Sequence, residues 1–215
     1  MISILKKKLH KNNSGFTLTE MIVSFALLAI FLVAASAFIG TITNLFYNIK
    51  GETYSRQVSD IILQKLESEI DGSKYEKNSD NNLKILAGFD SDTEADVGNV
   101  IDLYDKTDTH VKIYSEKAGE PDSQKDEIKI YYYPIGSLGE TTWRFDKSVY
   151  NGFEVKELNF VRGSHLADFT AASDYGVNPS GTYDDDVIII FLKLDSSRYG
   201  EYYFYRFVRM YNYED

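Results

Sequence analysis

Apolar and small residues run from Phe16 to Ile39 and are interrupted by a single charge, Glu20. As a helix rising about 1.5 Å per residue, this stretch spans roughly 36 Å, slightly more than a bilayer core of about 30 Å. Beyond Gly40 the pattern becomes periodic. Ile42, Leu45, Phe46 and Ile49, then Tyr54, Val58, Ile61, Ile62, Leu66 and Ile70, recur at helical spacing. Lys50, Glu52, Arg56, Asp60, Lys65, Glu67 and Glu69 lie between them. The pattern predicts one continuous helix from Phe16 to about Asp71, roughly 80 Å long. Its second half is amphipathic and packs on a sheet, and Gly72 stops it.

After Gly72 the period shortens. Ser73–Asn82 reads as a polar loop. Predicted strands follow at Leu83–Ala87, Val100–Tyr104, Val111–Ser115, Glu127–Tyr133, Thr142–Asp146, Glu154–Arg162, Asp186–Leu194 and Tyr202–Tyr211, separated by turns such as Ala118–Asp122 and Pro134–Ser137. Ile128, Ile130 and Tyr132 alternate with Glu127, Lys129 and Tyr131, as on a strand with one buried face. Val187–Leu192 is continuously apolar and reads as a central strand, whereas Tyr202–Tyr211 reads as the end of the sheet. Gly163–Asp186 has little apolar content and reads as an insertion loop. The fold class is α+β: a long N-terminal helix packed on an antiparallel sheet.

Charge sharpens this picture. The chain of 215 residues carries a net −10, while Lys6, Lys7, Lys8 and Lys11 alone put +4 on the first fifteen residues, leaving −14 for the rest. So acidic a surface repels nucleic acid, and no nucleic-acid partner is expected. Lysines before the apolar run and carboxylates after it orient the helix with its N-terminus in the cytoplasm. With no cysteine there is no disulfide framework, no thiol nucleophile and no thiolate metal site. About 144 residues after the helix are ample for a core without such staples.

Two ordinary explanations of the apolar run compete. Ala35-Ser36-Ala37 fits the small-x-small cleavage site of a secretory signal peptide, but the run before it exceeds the usual length of about 7–15 residues. A plain signal anchor fits the length and leaves Glu20 unexplained. A central membrane carboxylate costs about 2.5–3.5 kcal/mol, less near an end.

Gly15-Phe16-Thr17-Leu18-Thr19-Glu20, after a lysine-rich leader and before an apolar helix, resembles the class III signal of type IV prepilins and type II secretion pseudopilins. The resemblance covers about 26 residues, and its motif is highly specific. It implies that a prepilin peptidase cuts between Gly15 and Phe16, that Phe16 becomes N-methylated, and that Glu20 pairs with the Phe16 amine of a neighbouring subunit in a filament. A buried carboxylate is expensive unless paired, so the pairing acts as a register device. Many relatives in this family carry a proline in mid-helix. This chain has none between Phe16 and Asp71, leaving Gly40 and Gly51 as the helix-weakening positions.

The resemblance divides the chain into a cleaved cytoplasmic leader (1–15), a transmembrane and filament-core helix (16–40), an amphipathic continuation (41–71) and an extracellular β-rich head (72–215). It implies a structural subunit of a type IV pilus or pseudopilus and no enzyme. The implied partners are other pilin subunits, the peptidase, an inner-membrane assembly platform and, before assembly, the bilayer. Ile128–Tyr133, a turn and Thr142-Trp143-Arg144 further resemble a hairpin of J/W-type minor subunits, which implies a place near the filament tip, although Trp143 stands where leucine is usual. The alternative is a membrane-anchored adhesin domain that never assembles.

Other chemistry is sparse. His10, His110 and His165 have no sequence neighbour at ligand or catalytic spacing, and no cofactor is expected. Asp90, Asp92, Glu94 and Asp96 alternate as in some calcium loops but lack the glycine and distal glutamate of an EF-hand. They read, like Asp184–Asp186, as solvated acidic loops, with no metal. Among the 17 tyrosines, those of Tyr131–Tyr133 and Tyr199–Tyr213 read as core filling rather than as an exposed platform.

Overall fold

The computed structural model describes residues 16–74, 83–89, 93–115, 127–136 and 139–210. The leader with Gly15, the loop from residue 75, Asp90, Asp92, the turn at Ala118–Asp122 and Tyr211–Tyr213 lie outside them. The chain divides into two compact units, Met1–Tyr47 and Asn48–Asp215.

Helix α1 runs from Leu18 to Asp71 and ends where Gly72 N–H bonds the Ser68 carbonyl. In the first unit its apolar side chains are exposed, Phe25, Leu28, Phe31 and Phe38 among them. Thr41 and Thr43 turn their hydroxyls back to the carbonyls of Ala37 and Ile39, so they leave the surface apolar. In the second unit α1 buries Gly51, Ser55, Val58, Ser59, Ile62, Leu63, Leu66 and Ile70. Ser55 and Ser59 satisfy their buried hydroxyls on the carbonyls of Glu52 and Arg56. Ile61, expected on the buried stripe, is instead 48% exposed, and Leu63 takes the inward position. Gly51 is no weak point of the helix. A Cβ there would sit 2.5 Å from the Tyr202 hydroxyl and 2.9 Å from Tyr199 Cβ, so its lack of a side chain lets a hairpin press against the helix. Gly40 has open space around it.

The second unit also holds two antiparallel sheets. The first has the order β1 (Leu83–Leu86), β3 (Val100–Tyr104), β4 (His110–Ser115), β5 (Ile128–Tyr133), β6 (Thr141–Arg144). The second has β2 (Val97–Gly98), β7 (Glu154–Arg162), β8 (Val187–Ser196), β9 (Gly200–Arg209). Most strands stand where alternation placed them. β6 stops before Phe145, because Asp146 opens a turn by accepting Ser148 N–H while the Phe145 ring is buried. The pair β2 is too short for any periodicity to mark. It pairs Gly98 with Phe160 while the preceding residues hold β1 through Ala95 N–H to the Ile85 carbonyl, so the chain crosses here from one sheet to the other. A bulge between Val155 and Glu157 shifts the alternation of β7 and allows Val155 and Leu158, three apart, to be buried together.

Inner faces of both sheets and the buried face of α1 form one core, with Ile62, Leu66, Ile101, Ile113, Ile130, Phe160, Ile190 and Leu192 fully buried. β8 is buried on both faces. Ile188, Ile190, Leu192 and Leu194 enter that core, while Ile189 and Phe191 point the other way into a second cluster with Leu166, Phe169, Ala172, Tyr175 and Val177. This corrects the insertion loop expected at Gly163–Asp186. Gly163–Asp168 and Thr170–Tyr175 are 3-10 helices that seal the second face of the sheet. Few apolar residues suffice because each is nearly fully buried.

Tyr150 closes the core and its hydroxyl accepts the buried Ile128 N–H at 3.0 Å. Burial pushes its pKa from 10 to about 12, with the nearby Glu127 charge adding to the shift against the lowering by the Ile128 hydrogen bond. Because the folded value lies above the unfolded one, this contribution to stability is complete below pH 10 and disappears as the pH climbs toward 12. Urea unfolding of the full chain in detergent, followed from pH 9 to 12, is expected to show this loss. Tyr150→Phe is expected to lower stability at pH 8 by about 1 kcal/mol and to flatten the alkaline decline. An unchanged decline would remove Tyr150 as its cause.

Candidate functional site

The start of α1 is built by a reciprocal cap. Glu20 Oε2 accepts from Thr17 N–H at 2.8 Å and from the Thr17 hydroxyl at 2.9 Å, while Thr17 Oγ1 lies 3.3 Å from Glu20 N–H. This is the capping-box arrangement, in which a threonine and a glutamate three residues on satisfy each other's backbone donors. The spacing Thr-x-x-Glu is the local signal for it, and Thr17 is the residue that the resemblance to prepilins left without a role. Within the subunit, then, the carboxylate is already hydrogen-bonded. From Phe16 through Ile49 it is the single charge on an exposed apolar helix. Phe16 is 75% exposed beside it. Ala35-Ser36-Ala37, the alternative cleavage site, lies in the interior of α1.

A helix of this kind, unburied along its apolar stretch, is long and apolar enough to cross a membrane. Its surface calls for an apolar environment outside the fold. Residues 10–36 match the family model described as the prokaryotic N-terminal methylation motif. The chain is a type IV prepilin- or pseudopilin-like protein with the α+β architecture of type IV pilins, a long apolar N-terminal helix and antiparallel sheets. It is a membrane-anchored protein of the pilus-type cell surface, and the motif points to other pilin subunits and the prepilin peptidase as partners. Proteins of this type are structural. No curated protein and no solved structure matches the chain.

The remaining candidates are placed as follows. Glu94 accepts from the buried Arg162 guanidinium at 2.9 Å, and Asp96 lies 3.7 Å from Arg162 and 3.5 Å from His165. Both carboxylates thus face Arg162 at the end of β7, and Asp96 also lies beside His165 of the following 3-10 segment. Arg209 takes Asp184 and Asp186 in the same way. No group of three or more metal-ligating side chains occurs among the described residues. The sequence spacing did not reveal that both folded histidines meet carboxylates. His110 Nε2 lies 2.6 Å from Asp102 across the β3–β4 ladder, and His165 Nδ1 lies 3.0 Å from Asp168.

The tyrosines divide into two groups. Tyr104, His110 and Tyr133 stack at 4.9 and 5.0 Å, and Tyr131 stacks on Tyr114 at 5.5 Å. These rings present their faces to one another, as a cross-strand ladder does. On β9, Tyr202 and Phe204 pack against the main core as expected, but Tyr203, Tyr205 and Phe207 are exposed on the opposite face. The core reading therefore holds for one face of β9 and fails for the other, where Tyr175 and Tyr183 touch Tyr203 and Phe207 but leave both rings more than a third exposed.

Proposed function

We propose that this protein is a minor structural subunit of a type IV pilus or related pseudopilus, placed at or near the filament tip and held there through its N-terminal helix. The observation that carries the reading is the methylation motif at residues 10–36 running directly into α1, whose exposed apolar surface carries one carboxylate. On this reading the peptidase cuts between Gly15 and Phe16, and Phe16 is N-methylated. The lysine leader stays in the cytoplasm and the sheets lie outside. The bilayer stores the processed subunit until the assembly platform extracts it. In the filament, Glu20 exchanges its Thr17 hydrogen bonds for the Phe16 amine of a neighbour. A paired buried charge specifies one stagger between helices where apolar packing alone tolerates many. The hairpin β5–β6, with Trp143 paired opposite Ile130, supports the likeness to J/W-type minor subunits.

Mass spectrometry of the purified protein tests the processing. Methylated Phe16 is expected as the first residue, and a chain beginning at Phe38 would instead establish cleavage after Ala37. Replacing Gly15 with leucine is expected to leave the full-length precursor, because a side chain there blocks the close approach to the scissile bond. Shearing cells and probing the filament fraction tests assembly, and complete absence from that fraction would favour an anchored adhesin.

A further inference from the structure

Strand β9 ends its sheet, and every residue from Gly200 to Arg209 pairs with β8 without a bulge. Among the described residues its other side has no strand. Exposed edges of this length are ordinarily guarded by proline, lysine, a bulge or a covering loop. β9 contains no proline and no lysine. Arg206 is drawn to Glu67 at 2.8 Å and Asp60 at 3.5 Å on α1, and Arg209 to Asp186 at 2.8 Å, so neither is positioned as a guard.

Two surfaces flank this edge. On one side Tyr203, Tyr205 and Phe207 are exposed, and Tyr183 packs on Phe207 at 4.9 Å with its own ring partly exposed. On the other side a groove of about 550 Å³ runs between β9 and the last turns of α1, lined by Gln64, Glu67, Ser68, Asp71, Phe207 and Arg209. The surroundings are acidic. Asp60, Glu67, Asp71, Asp184 and Asp186 outnumber Arg206 and Arg209. Asp186 also keeps Oδ1 shielded from solvent with no donor.

We infer that the β9 edge is a docking site for an extended, lysine- or arginine-bearing segment of a partner protein, which adds a strand beside Gly200–Arg209. An unpaired edge supplies N–H and C=O groups at strand spacing, which an extended polypeptide matches. Alternate side chains of such a strand fall on the two flanking surfaces. On one side, apolar side chains lie over the exposed rings of Tyr205 and Phe207. On the other, cationic side chains enter the groove and meet Glu67 and Asp71. The site uses neither Glu20 nor the apolar half of α1.

The full chain in detergent micelles, titrated with an octapeptide of alternating lysine and valine, tests this by calorimetry together with hydrogen exchange. Binding is expected to slow exchange of the β9 amides. An octapeptide of alternating glutamate and valine is expected to bind at least about tenfold more weakly, as like charges oppose it. A lysine–valine peptide interrupted by proline is expected to give no protection. Asp71→Lys, at an exposed helix terminus, and Tyr205→Thr, which keeps strand propensity, are each expected to weaken binding severalfold with the circular dichroism unchanged. Absence of binding, equal affinity for the glutamate peptide, or binding without β9 protection would overturn the inference. So would protection of β9 that grows with protein concentration in the absence of peptide, which would assign the edge to a second copy.

Discussion

A Glu20→Leu chain is expected to lose its leader at the normal position, remain in the membrane, and enter sheared filaments at least about tenfold less than the parent. Losing one member of a buried ion pair costs about 3–5 kcal/mol, and about 1.4 kcal/mol is a factor of ten in an equilibrium constant. Leucine alone cannot decide the cause, because Glu20 also completes the cap on Thr17. Glu20→Gln separates the two roles. Glutamine serves in a capping box as glutamate does, so the helix start is preserved and the charge is removed. Filament yields as low for glutamine as for leucine would identify the charge as the operative feature. Yields equal to the parent's would reject the pairing with a neighbour's amine and leave Glu20 as a cap.

The largest effect on stability is expected at Gly98. A Cβ there would lie 2.1 Å from the Leu86 carbonyl oxygen and 2.6 Å from its carbon, both backbone atoms that cannot turn aside. The residue also pairs with Phe160 of β7, so any retreat from β1 displaces the ladder of the second sheet. Gly98→Val is expected to cost at least about 3 kcal/mol, which lowers the melting temperature by roughly 6–12 °C for a unit of this size. The single tryptophan reports it directly. Trp143 packs on Phe145 at 4.6 Å with Lys65 of α1 over its ring, so its fluorescence follows the docking of the helix on the first sheet. A melting temperature within about 2 °C of the parent would mean that the two sheets separate here at little cost.

Much of this architecture can be read from residue order. The end of α1 at Asp71, both ends of β3 and of β7, and the central place of β8 follow from local periodicity that no neighbour overrides. The apolar run and its lone carboxylate are equally local, as is the motif at residues 10–36. Amphipathic spacing states which side chains share a face, and it needs no knowledge of what covers them.

Other features depend on distant contacts that spacing does not encode. Gly51 and Gly98 look like flexible positions in one dimension, yet each is small because Tyr202 or the backbone of Leu86 presses against it. The polar composition of residues 163–186 conceals a sealing layer, since Leu166, Phe169 and Tyr175 gain their burial from Ile189 and Phe191 on β8. The alternating aromatics of β9 look alike in sequence, but only Tyr202 and Phe204 face the core, while Tyr205 is left 42% exposed at an edge. Residue order determined the helix, most of the strands and the N-terminal signal, because those depend on local period and composition. The fold decided which glycines are contacts, which loop is core and which tyrosines face solvent, because close approach and burial are properties of pairs of segments far apart in the chain.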